Sequence, residues 1–504
     1  MNMPAQTILK VPRRFREVIF GGTSRRLGAA LTLTLLLSFG SGAASAQCPA
    51  VTGTNAISWT ASSSNWNVAT NWSLNCVPNN GTPAGAFYDV TVNGTPTVTF
   101  NNGSAVIDTL TIGSGATLQD DSGVEQLTVG STNAIGSLNN AGILTWGTGS
   151  ANTLTLDLNS GNKNTSPATF TQTNSGTINL MGGGTFAIDD GKHGDTVAFS
   201  GGGTINLTGG TITLTNLPTT PKATFSNVDN TISGYGAITD LNLSNGTGGT
   251  INVTGGTLTV TPDASGFTNQ GALTIANGAT LTMSGTSAGF TQSNSNATTT
   301  IAAGGNFTMG SQGWKQNGGT TMVNGTLSST AAGVSITKGT FEGTGTVNGN
   351  VTMSAGTITP GAQTPSGADT LSINGAFDMT GGTFTELIGS GGNGELDVDG
   401  LVTLGGSLNI TLLTGFDPTP GTTYEIIDPS GLSGEFSNTG TIDGSTFNDG
   451  TEEWELVYNP SGDPDGVELE AVATPEPGDI SMLSVGLLAL AAMFAARSRK
   501  QRNS

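Results

Sequence analysis

The chain has 504 residues, of which 78 are glycine and only 10% are charged, and its formal net charge is −20. Residues 47–496 hold 34 acids against five bases, Lys163, Lys192, Lys222, Lys315 and Lys338, and no base follows Lys338 before the basic end. Such a surface repels the phosphates of nucleic acids and anionic lipids, so DNA and RNA partners are excluded.

The first 46 residues read as a secretory signal. Lys10, Arg13, Arg14, Arg16, Arg25 and Arg26 form a basic segment, residues 27–39 are apolar, and Ala44-Ser45-Ala46 offers an A-x-A cleavage site before Gln47. Gly28 and Ala29 follow Arg25-Arg26 where twin-arginine export wants bulky apolar residues, so general secretion is expected. Gln47 also stands where a lipoprotein signal needs a small residue before Cys48. The mature chain is expected to start near Gln47.

Residues 47–100 read as an N-terminal cap region. Trp59, Trp66 and Trp72 lie close together, flanked by Cys48 and Cys76, the chain's two cysteines. In an exported protein the two are expected to pair, stabilising by about 3–4 kcal/mol in the chain-entropy picture. Two readings of the tryptophans stand side by side. They cap a stack of strands whose first edge would otherwise be open, which is the favoured reading, or they stack on carbohydrate.

From 101 to 470, short stretches of period-two alternation recur between Gly, Asn and Ser. Gly176-Thr177-Ile178-Asn179-Leu180 is echoed by Gly203-Thr204-Ile205-Asn206-Leu207 and again by Gly249-Thr250-Ile251-Asn252-Val253. One such repeat cannot bury its apolar face alone, whereas stacked copies can. The expectation is an all-β solenoid, a parallel β-helix with roughly 20–25 residues per coil. A disordered Gly/Thr/Asn stalk is the competing reading, and the regular alternation argues against it.

Val106-Ile107-Asp108-Thr109-Leu110-Thr111-Ile112, Gly339-Thr340-Phe341-Glu342-Gly343-Thr344-Gly345-Thr346-Val347 and residues 396–408 carry a further resemblance. They look like the passenger repeats of the autotransporter superfamily. That resemblance touches about half of the mature chain and implies a right-handed β-helix. No membrane β-barrel pattern follows, so self-translocation is not expected.

Few residues suggest chemistry. Glu395, Asp397 and Asp399 before Gly400 imitate the start of a calcium loop, but Gly406 stands where its closing glutamate belongs and Leu396 and Val398 alternate as in a strand. One histidine, His193, cannot assemble a histidine metal cluster. No catalytic residue, metal or cofactor is expected. The enzyme reading that survives is a polysaccharide hydrolase with two carboxylates.

The tail, residues 474–504, holds three unlike signals in order. Pro475-Glu476-Pro477 comes first, then the apolar span 480–496, then Arg497, Arg499, Lys500 and Arg502. Seventeen residues at about 1.5 Å each reach roughly 25 Å, at the short end for a membrane-spanning helix. The four cations should stay cytoplasmic, leaving the preceding chain outside. This order resembles the PEP-CTERM sorting tail of exported Gram-negative proteins. The resemblance implies anchoring in the inner membrane through 480–496, recognition by an exosortase-type enzyme, cleavage near Pro475–Pro477 and release to the cell surface or extracellular polymer. The expected function is an exported structural protein of the surface or matrix, associated with exopolysaccharide or biofilm; a polysaccharide-binding adhesin is the alternative.

Overall fold

Phrases such as Thr-Ile-Asn-Leu put apolar side chains on one face of an extended chain and hydroxyl or amide side chains on the other. In the computed structural model this alternation is realised as strands that stack in parallel, coil on coil, in the manner of a β-helix. The structure describes residues 52–473 apart from 150, 160–166, 192–193, 216–221, 264, 286–288, 362–368, 414, 440–443, 449–451 and 460–465. The expected signal and tail residues, Cys48 and His193 lie outside the described residues. Among the described residues no helix is long and apolar enough to cross a membrane.

Three parallel ladders carry the stack. The first opens with Gly53–Ser58, Ala86–Val92 and Thr109–Ile112. The second opens with Ser64–Asn65, Thr97–Phe100 and Thr117–Asp120. The third opens with Ser104–Ile107, Gln126–Val129 and Asn152–Asp157. Parallel pairing therefore begins at Gly53, and the region expected as a separate cap, 47–100, already contributes strands to the stack.

Apolar side chains fall into continuous inner columns. On the second ladder Leu118, Leu144, Ile178, Ile205, Ile232 and Ile251 are successive register partners, each at most 2% exposed. On the first, Phe267, Phe290 and Trp314 stack with ring centroids 5.1 and 4.1 Å apart. Apolar area removed from water drives the stacking, and each coil lends its face to the next.

Beside the aromatic column runs a column of buried amides. Asn140 Nδ2 donates to Asn174 Oδ1 at 2.8 Å, and Asn174 Nδ2 to Asn230 Oδ1 at 3.1 Å. Asn227 donates to Asn245 Oδ1, and Asn245 to Asn269 Oδ1, both at 2.9 Å. The same amides serve turn carbonyls: Asn245 Nδ2 also reaches Gly249 O and Ala272 O, and Asn269 Nδ2 reaches Thr298 O at 3.0 Å. These asparagines are fully buried. Past Gln292 and Gln316 the column continues in register as Ile336, Met353 and Met379. Coil length is looser than expected: successive ladder amides are 34 residues apart at Asn140–Asn174 and 18 at Asn227–Asn245. Loops outside the ladders absorb the difference without disturbing the stack.

Both ends of the stack carry aromatic packing. Trp59 and Trp66 meet Trp72 nearly edge to face at 5.0 and 4.7 Å, and Trp66 packs on Phe100 at 5.2 Å. Trp72 Nε1 donates to Trp66 O at 2.9 Å. Cys76 is buried and disulfide-bonded, with Tyr88 Oη 3.7 Å from its sulfur. At the far end, parallel pairing does not run to 470 as expected. Thr423–Gly434 pairs antiparallel with Val467–Val472, which pairs antiparallel with Glu453–Tyr458. Trp454 is buried there, and Tyr458 Oη accepts the Phe436 N–H at 2.9 Å. A return strand covers an edge that another parallel coil would only re-expose.

Two stability effects follow. Trp66→Ala removes a buried ring at the first coils and is expected to cost about 3–5 kcal/mol in urea unfolding. Asn245→Ala takes the amide donor from Asn269 Oδ1 and one donor each from Gly249 O and Ala272 O, with an expected loss of about 1–3 kcal/mol by the same measurement.

Candidate functional site

Because side chains alternate across each strand, the inward isoleucines of the second ladder fix what its outer face presents. Thr177, Thr204, Thr231 and Thr250 are successive register partners on that face. Two residues along each strand lies a second outward row, Thr145, Asn179, Asn206, Ser233 and Asn252. Asn206 Nδ2 donates to Asn179 Oδ1 at 2.9 Å, and Asn179 Nδ2 to Thr145 Oγ1 at 3.2 Å. The result is an ordered, uncharged surface of hydroxyls and amides.

This row leads into a corner where the strands Thr204–Leu214, Thr231–Thr239 and Thr250–Thr261 pass from the second ladder into the third. Their registers slip between Thr208 and Thr211 and between Gly234 and Gly236. Gly234 and Gly236 have φ of 114° and 146°, and a Cβ on either would run into the carbonyl oxygen of Leu207 or Gly210. Between them Tyr235 projects as a partly exposed ring. The ring lies against glycine backbone of both neighbouring coils: a Cβ on Gly209 would lie 3.7 Å from it, and one on Gly256 3.0 Å from Cγ.

Around Tyr235 is an open groove of about 350 Å³, lined by Asn179, Asn206, Leu207, Thr208, Ser233, Gly234, Thr254 and Gly255. No lining residue is charged. Asn206 Oδ1, Ser233 Oγ and Tyr235 Oη make no hydrogen bond among the described residues. An aromatic face with unpaired amide and hydroxyl groups at its rim suits a ligand that is apolar on one face and hydroxylated at its edges.

The tryptophans singled out from sequence lie away from this groove, buried at the first coils. Trp59 is 6% exposed, Trp72 1% and Trp66 0%. Rings so buried offer no face to a sugar, and the carbohydrate-contact reading of Trp59, Trp66 and Trp72 gives way to packing against the first coils. Tyr235 was not singled out. Its signal was a copy of the repeat, Thr231-Ile232-Ser233-Gly234-Tyr235-Gly236, in which Gly-Tyr-Gly replaces the Leu-Thr-Gly of Leu207-Thr208-Gly209.

The acids are distributed as strand and turn residues. Among the described residues no group of three or more His, Cys, Asp or Glu is arranged to hold a metal ion. Glu395 and Asp397 alternate outward on Gly392–Leu404, while Asp399 offers its backbone carbonyl to Ser430 Oγ at 2.7 Å. Asp157 and Asp189 stand side by side on neighbouring strands. Each, however, accepts a backbone N–H two residues on, from Asn159 and Gly191, as turn-forming aspartates do.

One carboxyl group is anomalous. Glu386 takes an inward position on Thr383–Gly389, is fully buried, and neither of its oxygens has a hydrogen-bond partner. Burial holds its carboxyl well above the usual range; the nearby Gly394 N–H and Asn393 amide offset only part of that. Burial also raises Asp157, Glu342 and Glu395, the last with a contribution from Asp428 and Asp397.

No protein family matches the chain, and no curated protein is similar to it. Among solved structures it is similar to the Hap adhesin of Haemophilus influenzae, at 14% identity and a TM-score of 0.26. The match covers 77% of this chain and 60% of that one, less than two thirds of the adhesin's length. A likeness at that score carries no argument about function.

The raised carboxyls give stability a defined pH dependence. In the folded chain they keep protons that the unfolded chain releases above about pH 4.3. Their contribution is therefore fully present below that value and is lost as pH rises through the raised folded values. The melting temperature is expected to fall as pH rises above about 4.3, and Glu386→Gln to flatten that slope and raise the melting temperature at the alkaline end. Thermal melts across the range check both.

Proposed function

We propose that the protein is an exported, non-enzymatic structural component of the cell surface or extracellular matrix. In this reading it is a right-handed β-helix delivered by general secretion and held in the inner membrane through residues 480–496. An exosortase-type enzyme then recognises Pro475-Glu476-Pro477 with Arg497, Arg499, Lys500 and Arg502, and sorts the chain to the surface, where it associates with exopolysaccharide. The observation that carries the structural part is the outer face of the second ladder. Threonines and asparagines in register present hydroxyls and amides with no charge, a surface suited to hydrated neutral polymer rather than to catalysis. An adhesin that recognises polysaccharide is a second reading, favoured by the groove around Tyr235. The proposed Cys48–Cys76 bridge would tie the start of the mature chain to the buried tryptophans.

Intact mass of protein extracted from the cell surface tests the sorting. The expected species begins near Gln47 and lacks Arg497, Arg499, Lys500 and Arg502. Recovery of the complete C-terminus would replace sorting by a permanent membrane anchor.

A further inference from the structure

We propose that the groove around Tyr235 binds a neutral polysaccharide chain. The inference rests on the reading of the protein as an extracellular component associated with such polymers, and it gives that association a place on the molecule. Three features of the corner support it together.

The ring is set there by the backbone. Gly234 and Gly236 adopt φ values of 114° and 146°, and each stands where a Cβ would strike the preceding coil, so the turn that projects Tyr235 is closed to other residues. Gly209, Gly255 and Gly256 on the flanking coils leave the space in which the ring lies. An aromatic ring held in this way loses little freedom when a sugar ring stacks on it.

The rim supplies complementary polar groups. Asn206 Oδ1 and Ser233 Oγ are unpaired among the described residues, and Thr208 and Thr254 add hydroxyls. The amide oxygen accepts from sugar hydroxyls, and the serine and threonine hydroxyls both donate to and accept from them. The volume, about 350 Å³, lies at the lower end of the range for small-molecule sites and has room for a short saccharide.

The surroundings select the ligand class. The lining is uncharged and the chain as a whole is strongly acidic, so phosphate, sulfate and uronate polymers are disfavoured. Peptides that bind by adding a strand need an open sheet edge, whereas the strands here are paired on both sides. The outward row Asn179, Asn206, Ser233 and Asn252 continues past the groove at about 4.8 Å per coil, repeating amide and hydroxyl groups along the path of a chain.

Affinity electrophoresis of the full chain through gels containing dextran, galactomannan or alginate tests the proposal. Dextran or galactomannan should retard the protein, and alginate should not. Tyr235→Ala should weaken retention by the neutral polymer about tenfold, the equivalent of about 1.4 kcal/mol of lost stacking. Thr254→Arg, at an exposed position on the groove wall, should obstruct retention to a similar degree while the melting temperature stays unchanged. It decides the matter if Tyr235→Ala fails to fold. Absence of retardation by both neutral polymers, equal retardation by alginate, or wild-type retention of Thr254→Arg would overturn the proposal. A processed C-terminus together with no retention would overturn the groove and leave the sorting reading standing.

Discussion

Buried amide hydrogen bonds between coils are the constraint on which the rest of this structure depends. Where the chain turns from the first ladder to the second, Gly249 O accepts both the Ala272 N–H and the Asn245 amide, and the same amide reaches Ala272 O. A carbonyl oxygen has two lone pairs, and a buried turn is stabilised when a donor from within the coil stack adds to the backbone N–H. Asn245 and Asn269 supply it, and each amide also bonds to the amide of the next coil. The turn can then be short and rich in glycine without losing its register.

That constraint organises the two faces of every coil. With an asparagine pinned inward, the alternation of the following strand is set, so Ile251 points to the core and Thr250 and Asn252 point out. The same logic, repeated, turns a run of threonines into a surface row in register. It also explains why the amide column can stop. Beyond Gln316 the inward position passes to Ile336, Met353 and Met379, and the stack is held there by apolar contact.

The corner at Tyr235 is a local departure from the repeat, set by Gly234 and Gly236. Inner columns on both sides of the corner remain apolar and buried. The departure reaches inward at one position, where Gly234 stands in register between the buried Leu207 and Val253, and Tyr235 beside it lies on the outer face. Glu386 is the opposite case, a polar departure placed inward, where its protonation state becomes part of the stability of the coil.

The sequence by itself determined the strand character, the coil-on-coil stacking and the outward threonine rows, because period-two alternation and a repeated phrase are local and each copy states them again. The closely spaced Trp59, Trp66 and Trp72 were legible as a cluster, with packing favoured over carbohydrate contact, and they are buried. Only the tertiary structure decided which amides are buried. Asn245 and Asn252 lie seven residues apart in similar surroundings, yet one is fully interior and the other half-buried on the outer face. Their fates depend on register with coils 18 to 34 residues away, which no local pattern encodes. The same holds for the groove: Gly209, Tyr235 and Gly256 come from three successive coils, and their proximity exists only once the coils have stacked. The antiparallel end is likewise a tertiary decision, since Glu453–Tyr458 and Val467–Val472 alternate like every other strand and differ only in the neighbour they meet.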